Sequence, residues 1–225
     1  MTANARAVSP VAPAEDHSPV AALAHDTRGG ISNPILGMIL FICSEVMFFS
    51  GLFAAYFNAR AAAPSWPPLQ MAQELGWVHE NLVESPLEIF PLVGPATLIL
   101  IVSSFTCQFG VWAIRNSDRT AFMRNIAVTL VLGIVFLIMQ AIDYSVLYSE
   151  GMTLAAGSFG TTYFTLTGFH GAHVFGGVVM LSVVLYRGMA GQFSARHHDA
   201  VEATSLYWHF VDVVWIALFS TLYIL

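Results

Sequence analysis

Few side chains in this sequence could do chemistry, and most of them stand inside long apolar runs. Glu45 lies in Phe41-Ile42-Cys43-Ser44-Glu45-Val46-Met47-Phe48-Phe49. A charge at the centre of a bilayer costs roughly 2.5–3.5 kcal/mol on insertion scales, so such groups face inward and find partners. Three readings are open for Glu45. It could be protonated and hydrogen-bonded, it could pair with a polar group on another helix, or it could take part in proton movement. His170 and His173 occur in Gly168-Phe169-His170-Gly171-Ala172-His173, three residues apart, which puts both on one face of a helix. His173 and Glu45 fall at similar depths of their apolar runs, so a contact between them, direct or through water or a lipid headgroup, is geometrically feasible. His209 and Asp212 repeat the spacing of three. A neutral imidazole donating to Asp212 would satisfy both. Glu202 precedes them, and Gln140, Asp143 and Tyr144 form a further polar group. Ser103, Ser104, Thr106, Cys107 and Gln108 suit hydrogen bonds between helices. Structural pairing competes with function at each of these positions.

These residues do not compose a familiar active site. Zinc and di-iron centres need three or more convergent His or carboxylate ligands. Glu45, His170, His173 and His209 could supply four, but there is no H-E-x-x-H motif and no repeated Glu-x-x-His pair. A bis-histidine haem would draw on the same few residues, and no spacing singles out a pair. A P-loop, a dinucleotide fingerprint and a Ser-His-Asp signature are missing. There are no paired, Gly- or Pro-broken helices and no repeat of the first half in the second, as a transporter would have. The expectation is a chain with no catalytic residues and no metal of its own.

The elements that must position these groups follow from composition. The 225 residues are 56% hydrophobic and 10% charged, where about 25% charged is usual in soluble domains. Mean hydropathy is +0.69. The reading is an all-α integral membrane protein with five transmembrane helices, near 34–59, 92–114, 126–148, 161–186 and 206–225. About 20 residues at 1.5 Å rise cross a hydrocarbon core, and these runs are too long for barrel strands. Residues 1–33, rich in Ala, Pro, Ser, Asp and His, read as a disordered cytoplasmic tail, and 34–225 as one helical domain. The basic residues are eight arginines with no lysine. With the N-terminus cytoplasmic, only Arg60 lies outside and the other seven lie inside. The 60–91 loop is then external, and Trp66-Pro67-Pro68 and Trp77 make packed chain the expectation there. A net charge of −6 leaves no basic patch for nucleic acid. Cys43 and Cys107 lie inside apolar runs and read as small apolar residues rather than a disulfide.

Several stretches resemble subunit III of the haem–copper oxidases, in particular of cytochrome c oxidase. Tyr207-Trp208-His209-Phe210-Val211-Asp212-Val213-Val214-Trp215 is similar to the family's C-terminal motif, and Thr167-Gly168-Phe169-His170-Gly171-Ala172-His173-Val174 to its penultimate helix. Ser44-Glu45-Val46-Met47-Phe48-Phe49 resembles its Ser-Glu-x-x-Phe-Phe segment. Trp66-Pro67-Pro68, Gln140-Ala141-Ile142-Asp143-Tyr144, Gly160-Thr161-Thr162-Tyr163-Phe164 and His197-His198 with Glu202 match in order, so the likeness covers about 35–225. It implies a subunit without haem or copper, those cofactors being held by partner subunits. It implies packing against subunit I, with subunit II and further subunits or a supercomplex beyond, in a bacterial plasma membrane. It implies bound phospholipid and support of proton uptake. On the family's pattern Glu45 is the carboxyl attacked by hydrophobic carbodiimide, and Glu45, His173 and Arg187 are lipid-contact positions. His170, His209, Asp212, Glu202 and Asp143 are expected as structural polar pairs. Two departures stand out. Many members have two further helices ahead of these five, and Asp143 stands where Glu is common. The equivalent subunit of a quinol oxidase or of a nitric oxide reductase-associated complex is the alternative role. An independent membrane metalloenzyme using the Glu45/His cluster is the third.

Overall fold

The computed structural model describes residues 30–68, 78–79, 82–83 and 90–225. The expected tail at 1–33 therefore lies almost wholly outside the described residues, as does much of the 60–91 loop with Trp77. The body is five long helices: α1 (Asn33–Ala62), α2 (Phe90–Arg115), α3 (Arg119–Ser149), α4 (Gly157–Met189) and α5 (Asp199–Phe219), which runs on into a wider π turn at Ser220–Ile224. All five are long and apolar enough to cross a membrane. A two-residue antiparallel ladder, β1 (Val78–His79) with β2 (Leu82–Val83), is the one strand pair among the described residues.

The helices begin and end where polar chemistry ends them, not where apolarity does. The starts of α1 and α2 lie within two residues of expectation, but α3 begins at Arg119 rather than 126 and α5 at Asp199 rather than 206. Asp118 caps α3, its Oδ1 accepting from the Ala121 N–H at 2.9 Å, which satisfies an end donor that the helix itself cannot. Asp199 and Glu202 occupy the first turn of α5, where negative charge meets the positive end of the helix dipole. The arginine-bearing ends of the bundle are tied by the same means. Arg119 reaches the carbonyls of Gly188 and Met189 at 2.8 and 2.9 Å, capping the end of α4.

α2, α3, α4 and α5 form a ring of neighbours, with α2–α3 the most extensive contact. α1 packs on α4 and α5 from outside, and only Phe49 and Tyr56 of it are buried. Lipid chains are as apolar as the helix surfaces, so close packing and hydrogen bonds, not dehydration, must hold such a bundle. Trp208 shows how. Its ring fills the space between Gly133 of α3 and Gly177 of α4, where an added Cβ would lie 2.6 Å from ring atoms. Its Nε1 donates to Ser103 Oγ of α2 at 3.0 Å. One side chain thus joins four helices. Trp215, further along the same helix, stacks on His170 at 4.8 Å, meets the edge of Phe136 and donates to Thr97 Oγ1 at 2.9 Å.

Candidate functional site

Glu45 and His173 meet directly. Glu45 Oε2 lies 2.9 Å from His173 Nε2, across the α1–α4 contact. Glu45 falls near the middle of α1 (Asn33–Ala62) and His173 at the middle of α4 (Gly157–Met189), so the pair stands near mid-depth of both helices. His173 Nδ1 lies 2.6 Å from the Phe169 carbonyl. A carbonyl only accepts, so Nδ1 carries a hydrogen. Nε2 and the carboxyl then share one proton, either as acid and neutral imidazole or as carboxylate and imidazolium. Both forms are neutral overall, which is what a low-dielectric site favours. Phe48 and Phe49 pack on the imidazole at 6.4 and 5.0 Å. Tyr207 of α5 donates to the His173 carbonyl at 3.0 Å. The side chains keep 15% and 19% exposure, and Phe48, which packs on the imidazole, is 38% exposed, so the pair opens on the lateral face of the bundle.

The other expected pairs divide. His170 does not share the face of His173: it is fully buried between Phe136 and Trp215, and neither ring nitrogen has a hydrogen-bonding partner. Three residues fall short of one full helical turn, so two such positions can straddle a ridge and look into different grooves. The expected His209–Asp212 bond is absent. Helical side chains lean toward the N-terminus, which carries His209 back to Ser205 (3.2 Å) and across to Ser104 (2.6 Å) and Gln108 (3.2 Å) of α2. Asp212 is left with neither oxygen bonded. Asp143 finds a partner that its own helix does not supply. Its Oδ2 accepts from Tyr163 of α4 at 3.1 Å, and Tyr223 stands 2.6 Å from the same hydroxyl. The hydrogen of Tyr163 is directed at Asp143, so Tyr223 donates to Tyr163. Gln140 donates to the Thr167 carbonyl at 2.9 Å, and Tyr144 meets Thr167 Oγ1 at 2.6 Å.

Glu202 anchors the arginine-bearing end. Its Oε1 receives Arg115 through Nη2 at 2.7 Å and Nε at 2.9 Å, and lies 2.9 Å from His198 Nε2. Arg187 belongs to this end too. Its Nε donates to Gln192 at 2.8 Å and its guanidinium lies 4.9 Å over the Phe193 ring. Along α4 it stands several turns beyond His173, roughly 20 Å at the rise of a helix. Arg187 is therefore apart from the Glu45–His173 pair. The sequence alone does not single out Tyr163, Tyr223 and Trp208 as polar partners. Tyrosine and tryptophan read as apolar packing in a membrane run, and only the fold shows where their hydroxyl and N–H point.

Among the described residues, no group of three or more His, Cys, Asp and Glu converges to hold a metal. What the geometry provides is a neutral proton-sharing pair at mid-depth, tightly tied helices and an ionic cluster at one end. A family model described as cytochrome c oxidase subunit III matches residues 24–225. A Mycobacterium tuberculosis protein named probable cytochrome c oxidase subunit 3 is 40% identical over 189 residues, covering 84% of this chain and 86% of its own length. The Corynebacterium diphtheriae cytochrome c oxidase subunit 3 is 41% identical over 191 residues, covering 84% and 86%. That of Synechocystis is 39% identical over 203 residues, covering 90% and 80%. A match from residue 24 to residue 225 takes in all five helices and the Glu45–His173 pair, and the chain belongs to the cytochrome c oxidase subunit III family.

Proposed function

We propose that this chain is the non-redox accessory subunit of an aa3-type cytochrome c oxidase in a bacterial plasma membrane. It packs beside subunit I, with subunit II and the haem and copper centres held by partner chains. In this role it steadies subunit I, carries phospholipid and supports sustained proton uptake. The observation that carries the reading is the Glu45–His173 pair: a single shared proton held at mid-depth on an open lateral face, with no third His, Cys, Asp or Glu converging on it among the described residues. Such a pair has the means to anchor a helix and to hold a proton. It has no means to move electrons. Arg187 at the helix end suits a lipid phosphate, the charge that bilayer surfaces present at that level. The Glu45–His173 face, at mid-depth, suits the lipid's acyl chains.

The test is purification in mild detergent through a tag on this chain, followed by an optical spectrum, metal analysis and lipid extraction. Haem A and copper arriving with partner chains, and leaving when the chains are separated, support the role. Isolation of a lone chain that retains metal refutes it. A second comparison, turnover of the oxidase with and without this chain, separates a supporting role from none: the depleted enzyme is expected to lose activity during sustained turnover, and undiminished endurance contradicts the proposal.

A further inference from the structure

α1 lies in the outer groove between α4 and α5. The adjoining outer groove, between α5 and α2, is not filled by a helix of this chain among the described residues. It is a cavity of about 330 Å³ with a polar floor of Ser104, Gln108, His209 and Asp212. Its lips are apolar, and Phe105 and Val213 there are 62% and 65% exposed. Asp212 is only 5% exposed, and neither of its oxygens has a partner. The hydroxyl beside it, Ser104, also meets His209 Nδ1 at 2.6 Å, and its single hydrogen can go to the imidazole or to one carboxyl oxygen but not to both Asp212 oxygens, so at least one of them is left without a donor from this chain. Asp212 lies at the middle of its span, Asp199–Ile224. Acyl chains carry no donor, and headgroups lie at the two ends of the span, about 15 Å away. A donor for Asp212 must therefore come on a protein element that itself runs through the bilayer.

We propose that the α2–α5 groove receives a transmembrane helix of a partner subunit of the same oxidase, and that a hydroxyl, amide or cationic side chain on that helix donates to Asp212. The docked helix would lie beside α1, as α1 lies between α4 and α5. The inference rests on the oxidase reading for the existence of the partner. It adds the face, the depth and the chemistry of the contact.

The test uses the whole oxidase, purified in mild detergent through this chain, with a benzophenone amino acid in place of Val213. Irradiation, digestion and mass spectrometry are expected to find position 213 joined to a membrane-spanning segment of another oxidase subunit. A Ser, Thr, Tyr, Asn, Gln, Lys or Arg is expected within a helical turn of the joined residue. Asp212→Asn should keep the adduct, because an amide oxygen still accepts, whereas Asp212→Leu should lose it. The adduct in the chain that retains Asp212 decides the matter should the Leu variant fail to accumulate. Adducts confined to phospholipid, or to α1 of this chain, overturn the proposal. Haem and copper present without a subunit adduct would overturn the docking face and leave the oxidase role standing. A preparation without haem or copper would remove both.

Discussion

At the scale of single residues, the pairing of Glu45 with His173 turns on one proton. Because Nδ1 is committed to the Phe169 carbonyl, the proton between Nε2 and the carboxyl cannot be supplied by a tautomer switch. It can leave or arrive only from outside the pair. Glu45→Gln keeps a hydrogen bond to Nε2 and removes the acid. The expected outcome is an assembled complex in which labelling of this chain by hydrophobic carbodiimide falls to background. Unchanged labelling would transfer the reactivity to another buried carboxyl, Asp143 or Asp212. His173→Leu strands the carboxyl instead, and an unsatisfied buried polar group costs about 1–3 kcal/mol. A lowered melting temperature of the purified complex is the readout, larger for His173→Leu than for Glu45→Gln. This pair was legible in the sequence because both residues fall at the middle of their apolar runs, and mid-depth is the same level whichever way a span runs. The His209–Asp212 pairing misled because a spacing of three fixes neither the groove that each side chain enters nor the partner it meets there. Ser205, Ser104 and Gln108 all lie on the side toward which His209 leans.

At the scale of elements, hydropathy finds the part of a helix that lies in lipid and is blind to the turns beyond it. α3 and α5 each begin well ahead of the apolar run because Asp118 in one case, and Asp199 with Glu202 in the other, complete a polar first turn. Glycine is the other determinant of these elements, and it acts by position. At Gly177 an added Cβ would stand 2.6 Å from Trp208 Cε3, while at Gly51 it would meet nothing within 4 Å. Gly177→Ala is expected to push Trp208 off its seat and cost about 1–3 kcal/mol, as overpacking does. Gly51→Ala should be neutral or stabilising by up to about 1 kcal/mol from helix propensity. Thermal unfolding of the two variants within the complex distinguishes a packing role from a generic glycine effect: equal shifts would mean that Trp208 does not sit where Gly177 admits it. The sequence displays glycines at both places, and only the neighbouring helix separates them.

At the scale of the whole molecule, five spans, a shared family and the chain's place among other oxidase subunits follow from motifs and periodicity, but neighbour relations do not. Nothing in the order of the runs says that α1 would leave α2 and lie on α4 and α5, because helices in lipid choose neighbours by the fit of small and large side chains. Trp208 seated on Gly133 and Gly177 makes that choice for α5. Orientation is the one global property that charge alone sets. The short connection between α2 and α3 holds Arg115 and Arg119 at its edges, and that between α4 and α5 follows Arg187 and holds Arg196. The turn between α3 and α4 holds Glu150 and no arginine. Insertion retains arginine on the cytoplasmic side and is nearly indifferent to acidic residues, so the α2–α3 turn should face inward and the α3–α4 turn outward. The native cysteines lie in α1 and α2, Cys43 on the lateral face and Cys107 buried, both inside spans where a charged thiol reagent does not reach. A single cysteine at Asn116, exposed in the α2–α3 turn, should react with an impermeant maleimide only after the cells are opened. One at Glu150, exposed after α3, should react in intact cells whose outer layers admit the reagent. The reverse pattern would place the arginines outside, and with them Arg187 and the Glu202 cluster, removing the inner bilayer surface as the source of any phosphate that Arg187 holds.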